Sequence, residues 1–446
     1  MTKPLVAIVG RPNVGKSTLF NRLVEEPRAI VEDLPGTTRD RLYADAEWGG
    51  VTFTLVDTGG LVLWSEDQLT MQVRRQVELA LAEADAIIFM VDVVEGLTAG
   101  DEEIVALLRG AQKPVFLVAN KADNQARRLA AVEFFRLGMG EPYPISALHG
   151  LGTGALLSSL VASLPPGEPT EEAEGARIAI VGRTNVGKSS LLNALLGRER
   201  AIVSPEPGTT RDATDTSLEW GGQTVTLIDT AGIRRRGRIG RGVERYSVLR
   251  ALRAIQRANV VLLLLDAQEG VKAQDAHIAG YALEEAKGIV LAVNKWDLIG
   301  GKGEARARYI QEIKRVFNFI PYAPLFFISA LTGEGVSQAM EAALAVYQER
   351  LRRIPTSSLN KFLREAVASH FPPSKGGKRL RFYYLTPGEV DPPTFVFFVN
   401  DARLVHFSYQ RYLENRLRQS FGFQGTPLRL IFRPRERGTQ THREGK

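Results

Sequence analysis

Short apolar runs alternate along the chain with stretches of helical character. Four such runs lie within the first 120 residues, and four matching runs lie between 178 and 294. In order they read VAIVG, FTLVD, IIFMVD and VFLVAN, then IAIVG, VTLID, VVLLLLD and IVLAVN. Runs this apolar are typical of strands buried on both faces, as in a parallel sheet covered by helices. The pattern therefore predicts two α/β domains with functional residues at the carboxyl ends of their strands.

Several polar motifs recur at a constant offset of 172 residues. GRPNVGKST at 10–18 matches GRTNVGKSS at 182–190, and DTGG at 57–60 matches DTAG at 229–232. PGTTRD and EWGG also occur twice at this offset. The offset is 174 for NKAD and NKWD and 183 for the two ISAL segments, mainly because a basic helical stretch at 305–317 is longer than its counterpart. An internal repeat of this length indicates a duplicated domain.

The length and composition of the chain indicate how many domains it has and exclude cysteine-based sites. The length of 446 residues suggests about three domains. We expect a first domain at 1–164, an acidic linker at 165–176, a second domain at 177–353, a small domain at 354–434 and a disordered tail at 435–446. The absence of cysteine excludes disulfides, thiolate metal sites and cysteine nucleophiles. With no signal-like or membrane-length apolar segment, we expect a cytoplasmic protein.

The positive charge is concentrated in the C-terminal region. The whole chain carries a net charge of +7, whereas the segment from Pro355 onward has 16 Lys and Arg against 7 Asp and Glu. A localised excess of this kind favours a polyanionic partner such as nucleic acid. A solvated basic face is the alternative.

Each glycine-lysine loop follows a predicted strand and opens a predicted helix, which is the context of a phosphate-binding loop. Backbone N–H groups form the anion cradle, and Lys16 and Lys188 bring a positive charge to the β- and γ-phosphates. Ser17 and Ser189 are expected to bind Mg²⁺. Thus the repeat predicts two nucleotide sites.

Two further elements are expected to sense the terminal phosphate. Asp57 and Asp229 end apolar strands, where a carboxylate can hold Mg²⁺ through a water, and the N–H of Gly60 or Gly232 can reach the γ-phosphate. Thr38 and Thr210 are expected to close on the metal when three phosphates are bound. Helix capping by the aspartates is the alternative. We accordingly expect catalytic roles for Lys16, Thr38, Gly60, Lys188, Thr210 and Gly232.

The Asn-Lys-x-Asp segments predict selection of guanine. A carboxylate at Asp123 or Asp297 can accept two hydrogen bonds from guanine N1–H and its amine, a pair that adenine does not offer, worth roughly 1–3 kcal/mol. We use the name base loop for the Asn-Lys-x-Asp segment together with the Ser-Ala segment of the same domain. Asn120 and Asn294 are expected to tie the base loop to the phosphate loop. Lys121 and Lys295 are expected to lie along the ring, and Ser146-Ala147 and Ser329-Ala330 to contact the base through the backbone.

The complete set of expected nucleotide contacts is therefore duplicated. In the first domain it comprises Gly10, Arg11, Pro12, Asn13, Val14, Gly15, Lys16, Ser17, Thr18, Asp57, Thr58, Gly59, Gly60, Leu61, Asn120, Lys121, Ala122, Asp123, Ser146 and Ala147. In the second it comprises Gly182, Arg183, Thr184, Asn185, Val186, Gly187, Lys188, Ser189, Ser190, Asp229, Thr230, Ala231, Gly232, Ile233, Asn294, Lys295, Trp296, Asp297, Ser329 and Ala330.

In this order the motifs resemble those of the translation-factor-like GTPases. Two such domains followed by a small basic domain, with DTGGL in the first and DTAGIRRRGRIGRGVERYSVLRALRAI in the second, resemble the bacterial double-GTPase family called Der or EngA over essentially the whole chain. The resemblance implies GTP and GDP as ligands, Mg²⁺ as cofactor, and a role in assembly of the large (50S) ribosomal subunit and its rRNA. A monomer without membrane contact is expected.

The residue after each Asp-x-x-Gly motif is Leu61 or Ile233, and neither can orient an attacking water as the glutamine of many GTPases does. We therefore expect slow intrinsic hydrolysis. In related GTPases an asparagine of the phosphate loop helps to hold K⁺, and Asn13 and Asn185 occupy the matching positions. Asparagine is also a common turn residue, which is the alternative explanation.

Two basic regions are candidates for RNA contact. The segment 234–257 carries nine arginines and one glutamate, which indicates either a surface for RNA or a neighbouring domain, or a solvated helix. From Pro355 the pattern predicts an α-β-β-α-β order, with helices at 359–370 and 409–421 and strands at 379–385, 394–399 and 428–432. This order is similar to the KH-like domain of the Der family, but no Gly-x-x-Gly loop stands between its helices. We therefore expect electrostatic, shape-directed RNA contact, or docking onto a GTPase domain.

Other functions remain open from the residues alone. They are a nucleotide-dependent group-transfer enzyme, a GTP-dependent RNA-modification factor, and an RNA-binding scaffold that retains unhydrolysed nucleotide and does not act on the ribosome. The duplicated guanine motifs and the lack of a separate catalytic domain argue against group transfer.

Overall fold

The computed structural model describes residues 3–24, 43–58, 77–165 except 79, 175–197, 201–203, 215–230, 247–300, 302–372, 374–375 and 378–434. The chain divides into two compact units, Met1–Ala173 and Glu174–Lys446. Several predicted site residues lie outside the described residues: Thr38, Gly59, Gly60, Leu61, Thr210, Ala231, Gly232 and Ile233. So do the 435–446 tail and most of the 165–176 linker and of the arginine-rich segment.

The first unit is a six-stranded sheet in the order β2-β3-β1-β4-β5-β6, parallel except for the β2-β3 pair. Its strands are β1 (Leu5–Gly10), β2 (Tyr43–Trp48), β3 (Val51–Asp57), β4 (Ala86–Asp92), β5 (Val115–Asn120) and β6 (Tyr143–Pro144). Its helices are α1 (Lys16–Val24), α2 (Ala99–Leu108), α3 (Gln125–Ala130) and α4 (Thr153–Ser163), with a 3-10 turn at Ala131–Leu137 after α3.

The second unit begins with a seven-stranded sheet in the order β13-β12-β11-β7-β10-β9-β8. Its strands are β7 (Ala176–Val181), β8 (Ala201–Val203), β9 (Thr216–Trp220), β10 (Gln223–Ile228), β11 (Val260–Asp266), β12 (Gly288–Asn294) and β13 (Leu325–Phe327). Its helices are α5 (Lys188–Leu196), α6 (Ser247–Arg257), α7 (Ala273–Glu284), α8 (Lys302–Val316) and α9 (Val336–Leu351). The five strands from β13 to β10 are parallel, as predicted from their unbroken apolar runs.

The burial of the central strands shows how the sequence determines the layered fold. Every residue of β4, β11 and β12 is buried, so these runs need no polar face and must be covered by helices on both sides. Parallel connections place the loops after β1, β3 and β5 at one edge of the sheet, and likewise in the second copy. The predicted pair of α/β domains is therefore confirmed.

The C-terminal region has the predicted α-β-β-α-β order. It contains α10 (Thr356–Ser369), β16 (Phe382–Pro387), β17 (Thr394–Val399), α11 (Phe407–Phe421) and β18 (Arg429–Pro434). Before β16 lies an additional short antiparallel pair, β14 (Ser374–Lys375) and β15 (Lys378–Arg379). β16 begins later than the predicted residue 379 because Lys378–Arg379 pair with Ser374–Lys375 instead. β16 and β18 flank β17, the first antiparallel and the second parallel to it.

The inner side of this small sheet forms its own core. Leu385, Phe397 and Val399 are buried against Leu359, Leu363, Leu413 and Leu417 from the two helices.

No described helix is long and apolar enough to cross a bilayer.

Candidate nucleotide-binding sites

The phosphate loop of each copy joins the end of a central strand to the start of a helix. β1 ends at Gly10 and α1 begins at Lys16, and in the second copy β7 is followed by α5 beginning at Lys188. Gly15 has φ +97°, and a Cβ there would overlap the amide nitrogen of Asn120. Only glycine fits this position, because the base loop and phosphate loop touch there.

The two loop lysines are held inside their loops. Lys16 Nζ donates to the carbonyl of Gly10 at 2.9 Å and to that of Arg11 at 2.7 Å, and its side chain is largely buried. Burial is the main cause of a lowered pKa at Lys16, which the charge of Asp57 partly offsets. Lys188 donates in the same way to Gly182 and Arg183. Each ammonium group thus lies at the loop where anionic phosphate is expected.

Arginine side chains brace both loops from outside, a role that the sequence analysis missed. Arg11 Nε donates to the buried carboxylate of Asp101 at 2.8 Å, and its Nη1 contacts Glu95 at 2.9 Å. Asp101 also accepts from the N–H of Thr98, closing a capping box at the start of α2. The loop is therefore tied to a helix N-terminus by a charge-assisted hydrogen bond.

The second copy repeats this brace. Arg183 Nε lies 3.0 Å from both carboxylate oxygens of Asp275, and its Nη1 contacts Glu269 at 2.5 Å. The signal was present in the sequence, because Arg11 and Arg183 are 172 residues apart while the two acidic residues recur at an offset of 174.

One asparagine in each copy bridges the base loop and the phosphate loop. Asn120 Nδ2 donates to the Val14 carbonyl at 2.8 Å, and its Oδ1 accepts from the Ala147 N–H at 2.9 Å. Asn294 makes the same two bonds, to Val186 at 2.7 Å and from Ala330 at 2.8 Å. Both side chains are buried, and each holds three segments of one site together by one donated and one accepted hydrogen bond.

The carboxylates expected to read the base differ between the copies. Asp123 accepts from Ser146 Oγ at 2.6 Å and from Arg127 Nη1 at 2.7 Å. The Ser146 hydrogen bond is the largest cause of a lowered pKa at Asp123. Asp297 makes no such contact with any of the described residues, although both serines accept from a loop N–H, Ser146 from His149 at 3.3 Å and Ser329 from Thr332 at 3.1 Å. A carboxylate has about four lone-pair positions, so Asp123 retains room for two more donors.

The motif lysines are anchored by acidic residues that the sequence analysis did not select. Lys121 pairs with Asp92 at the end of β4, and Lys295 pairs with Asp266 at the end of β11, at 2.5 Å. Both lysines have positive φ, +65° and +63°. The aspartates are buried, so each pair fixes the direction in which the lysine stem leaves the strand. The residues between lysine and aspartate, Ala122 and Trp296, are core positions.

In the first domain an arginine also holds the base loop. Arg22, in the last turn of α1, donates from Nε to the Ala147 carbonyl at 3.2 Å and from Nη2 to the Leu148 carbonyl. The corresponding residue of α5 is Ala194, which has no donor. The two base loops are therefore supported differently.

The oxygen atoms expected to meet Mg²⁺ lie together in the first domain. Ser17 Oγ donates to Asp57 Oδ2 at 2.5 Å. A hydroxyl and a carboxylate are hard-oxygen donors that suit Mg²⁺, which usually takes few protein ligands and completes its shell with phosphate and water. No cluster of three or more His, Cys, Asp or Glu that could hold a metal ion occurs among the described residues. The hydroxyl of neighbouring Thr58 is buried and donates to Ile8 at 2.6 Å.

The two asparagines considered for K⁺ have left-handed backbones. Asn13 has φ +66° and Asn185 has φ +61°, and both side chains are exposed. Asparagine tolerates this conformation better than most residues, so the turn itself is sufficient reason for asparagine at these positions.

A Gly-x-x-Gly sequence does occur in the C-terminal region, at 422–425, where it follows α11 and leads into β18. Backbone groups of this segment form hydrogen bonds with the second α/β domain. The Gly425 carbonyl accepts from the Ile289 N–H at 2.7 Å, and the Gly425 N–H donates to Tyr322 at 3.0 Å. The Phe423 N–H donates to Glu349 at 2.9 Å. Gly425 is buried in this contact, so this segment is not free to clamp a nucleic-acid backbone.

An ion pair made by a buried arginine reinforces the same contact. Arg350 of α9, 2% exposed, pairs with Asp391 and donates to the Ala286 carbonyl at 2.8 Å and to Thr426 Oγ1 at 3.1 Å. Asn259 donates to the other oxygen of Asp391 at 2.6 Å. The C-terminal domain is thus fixed to the amino-terminal edge of the second sheet, away from the phosphate loop.

Comparison with known proteins agrees with this architecture. A family model described as a 50S ribosome-binding GTPase matches residues 5–121 and 177–295, and one described as the C-terminal KH-domain-like region of EngA bacterial GTPase enzymes matches 353–433. The curated relatives called GTPase Der include those of Thermomicrobium roseum, 56% identical over 100% of this chain and 99% of the relative, and Chloroflexus aggregans, 56% identical over 98% and 99%.

Among solved structures, the complex of Era with MgGDPNP and a segment of 16S ribosomal RNA is 21% identical and covers 59% of this chain and 94% of that one, with a TM-score of 0.30. The full-length relatives, the two matched GTPase regions and the matched C-terminal region together give one conclusion. The chain belongs to the GTPase Der family, whose members are GTP-hydrolysing enzymes with two GTPase domains and a KH-like domain.

Proposed function

We propose that both GTPase domains bind GTP and Mg²⁺ and that their nucleotide states control a role in assembly of the large ribosomal subunit. The observation that carries the proposal of two working sites is the double bridge of Asn120 and Asn294, each holding its base loop against its phosphate loop. A degenerate second copy would have no reason to keep a buried amide with both hydrogen-bonding ends satisfied.

Guanine selection is assigned to Asp123 and Asp297. A guanine placed between the base loop and the motif lysine would donate N1–H and its amine to the carboxylate, while the Ala147 or Ala330 segment faces its O6. Adenine presents no matching pair of donors, and the cost of the mismatch is roughly 1–3 kcal/mol. The anchoring of Lys121 by Asp92 and of Lys295 by Asp266 supports this geometry by directing both stems along the ring.

Phosphate and metal binding are assigned to the loops. Lys16 and Lys188 exchange their carbonyl partners for phosphate oxygens. At Lys16 burial favours this change, because a phosphate compensates a charge held in a poorly solvated place. Ser17 with Asp57 and Ser189 with Asp229 would hold Mg²⁺, with Thr38 and Thr210 as further ligands. When bound, Mg²⁺ neutralises charge on the β- and γ-phosphates.

We propose slow hydrolysis in the isolated protein, because Leu61 and Ile233 have no group that orients water. We further propose K⁺ near the phosphates, held in part by Asn13 and Asn185, whose exposed side chains leave them available. Turnover measured in KCl and NaCl at equal ionic strength tests this second proposal. A faster rate in KCl is expected, and equal rates would leave the left-handed turn as the full explanation of both asparagines.

The ribosomal role rests on the family. The matching model is described as a 50S ribosome-binding GTPase, and the basic C-terminal region favours a nucleic-acid partner. A monomer in the cytoplasm, acting on large subunits and their rRNA, is the corresponding proposal.

The test is co-sedimentation with purified large subunits in GTP, a non-hydrolysable analogue, GDP and no nucleotide. We expect binding that depends on the nucleotide, and loss of that dependence in Lys16→Ala, Lys188→Ala or both. Equal binding in all four conditions would contradict a switch. Phosphate release by the same variants shows whether each site hydrolyses GTP, and undiminished release by both variants would contradict the assignment of the loops.

A further inference from the structure

One side of the C-terminal sheet is not covered by its two helices. The register places Tyr384 opposite Phe398 and Phe398 opposite Arg433 in one row across the three strands. The next row is Thr386, Val396 and Ile431. These side chains alternate with the buried residues Leu385 and Phe397, so they point away from the core. We refer to Tyr384, Thr386, Val396, Phe398, Ile431 and Arg433 as the outer sheet face.

The outer sheet face presents flat aromatic surface beside a positive charge. The rings of Tyr384 and Phe398 are stacked with centroids 4.2 Å apart and an interplanar angle of 16°. Tyr384 is 36% exposed and Phe398 is partly exposed. Arg433, at the end of the same row, is exposed and has no ion-pair partner among the residues that the structure describes. Arg429 stands two residues earlier on the same edge strand and lies 3.7 Å from the exposed Glu389.

We propose that the outer sheet face binds unpaired RNA, with bases stacked on Tyr384 and Phe398 and phosphates near Arg433 and Arg429. This inference rests on the proposed function, since it names the element that would contact RNA. Sheet modules that bind single strands combine exposed aromatic rings with basic side chains in this way. A cross-strand aromatic pair alone would stabilise the sheet, but that role requires neither exposure nor the adjoining arginines.

Two observations favour RNA over a protein partner and over another site on this domain. The segment from Pro355 onward has 16 Lys and Arg against 7 Asp and Glu, which complements a polyanion. The Gly-x-x-Gly segment at 422–425 is held against the second GTPase domain through Gly425 and Phe423, so its backbone is not available to clamp a nucleic-acid strand. The outer sheet face combines exposed rings with basic side chains and needs no rearrangement of the described structure.

The test uses the full-length protein and a short, unstructured, fluorescein-labelled homopolymer RNA, with binding followed by anisotropy. Tyr384→Val and Phe398→Val retain strand propensity while removing the rings. Each is expected to weaken binding roughly 5- to 150-fold, the range for loss of one base stack. Tyr384→Phe and Phe398→Tyr are expected to bind like the parent protein. Duplex RNA of the same length is expected to bind more weakly and equally to all variants.

Arg433→Gln is the matched variant that removes no ring and no core contact. It should lower the slope of log K against log salt by about one charge while leaving the melting temperature unchanged, and it keeps the test valid if a valine variant fails to fold. Folded valine variants that bind single strands as tightly as the parent protein would overturn the inference. So would valine variants that lose large-subunit binding but retain RNA binding, because the face would then contact protein.

The test of the outer sheet face and the test of the proposed function can fail independently. If the parent protein does not co-sediment with large subunits, the ribosomal role fails, yet a ring-dependent affinity for single strands still supports the outer sheet face as an RNA site. If co-sedimentation is normal and oligonucleotide binding ignores Tyr384 and Phe398, only the outer sheet face is refuted.

Discussion

Replacing Arg22 tests whether the two GTP sites differ for the reason that the structure gives. The arginine donates two hydrogen bonds to the base loop of the first domain, at Ala147 and Leu148, whereas the second domain has Ala194 in its place. A net hydrogen bond contributes about 1 kcal/mol. Because Arg22 is exposed, we take about 1–2 kcal/mol for the two together, which corresponds to roughly 5- to 30-fold weaker guanine nucleotide binding.

The assay is calorimetry of GDP binding to full-length protein in which Asp297→Ala has silenced the second site. Arg22→Ala in this background should weaken binding to the first site, mainly through faster release, since the loop that contacts the base is no longer held. Arg109→Ala, which removes an exposed arginine at the end of α2, is the matched control and should have no effect. In the converse background, with Asp123→Ala, Arg22→Ala should leave the second site unchanged. Unaltered affinity of the first site would refute the clamp.

Three further changes probe the second unit. Arg350→Ala removes the ion pair with Asp391 and leaves the Ala286 carbonyl and the Thr426 hydroxyl without their donor. The free energy of unfolding of this unit, measured by urea-dependent hydrogen exchange, should therefore fall by about 2–4 kcal/mol. The half-exposed control Arg352→Ala should cost under about 1 kcal/mol, and equal losses would contradict the assignment. Lys287 has a pKa lowered to about 8, chiefly by burial. The unfolded chain therefore binds more protons between about pH 8 and 10.5, and stability should rise with pH across that window; the urea midpoint should increase from pH 7.5 to 9.5, and Lys287→Met should lose this increase. Gly187→Ala would place a Cβ on the amide of the bridging asparagine, so calorimetry should show loss of GDP binding at the second site alone, and retained binding would show that the loop can yield.

Much of the fold can be predicted from local sequence patterns, without knowledge of which distant segments are in contact. β11 is apolar at every position before Asp266 and is bounded by a helix on each side, so its burial and parallel pairing follow from the sequence. The 172-residue repeat then locates both phosphate loops. In the C-terminal region the strand boundary shifted, because propensity alone does not specify the pairing of Lys378–Arg379 with Ser374–Lys375.

What the sequence did not reveal are contacts that join distant segments. Arg11 reaches a carboxylate 90 residues away, and Arg350 reaches one 41 residues away. An arginine in a helix or loop is usually solvated, so nothing in the local sequence indicates that these two hold distant segments together. The brace at Arg11 could have been inferred, since Asp101 recurs as Asp275 in the second copy. The one at Arg350 has no repeated counterpart to reveal it.

The Gly-x-x-Gly segment illustrates the same difficulty. Its spacing is visible at 422–425, but whether such a segment faces solvent depends on what packs over it. Here the Ile289 N–H and the Tyr322 carbonyl take its backbone groups. Only the tertiary structure shows that this motif serves as a domain contact.

The central claim is that one chain holds two separate sites that read guanine through Asp123 and Asp297. Calorimetric titration of the full-length protein with GDP and with ADP, in Mg²⁺, tests it most directly. Two GDP molecules should bind per chain, one should be lost in each of Asp123→Ala and Asp297→Ala, and ADP should bind far more weakly than GDP. A single GDP per chain, or ADP held as tightly as GDP, would contradict the account.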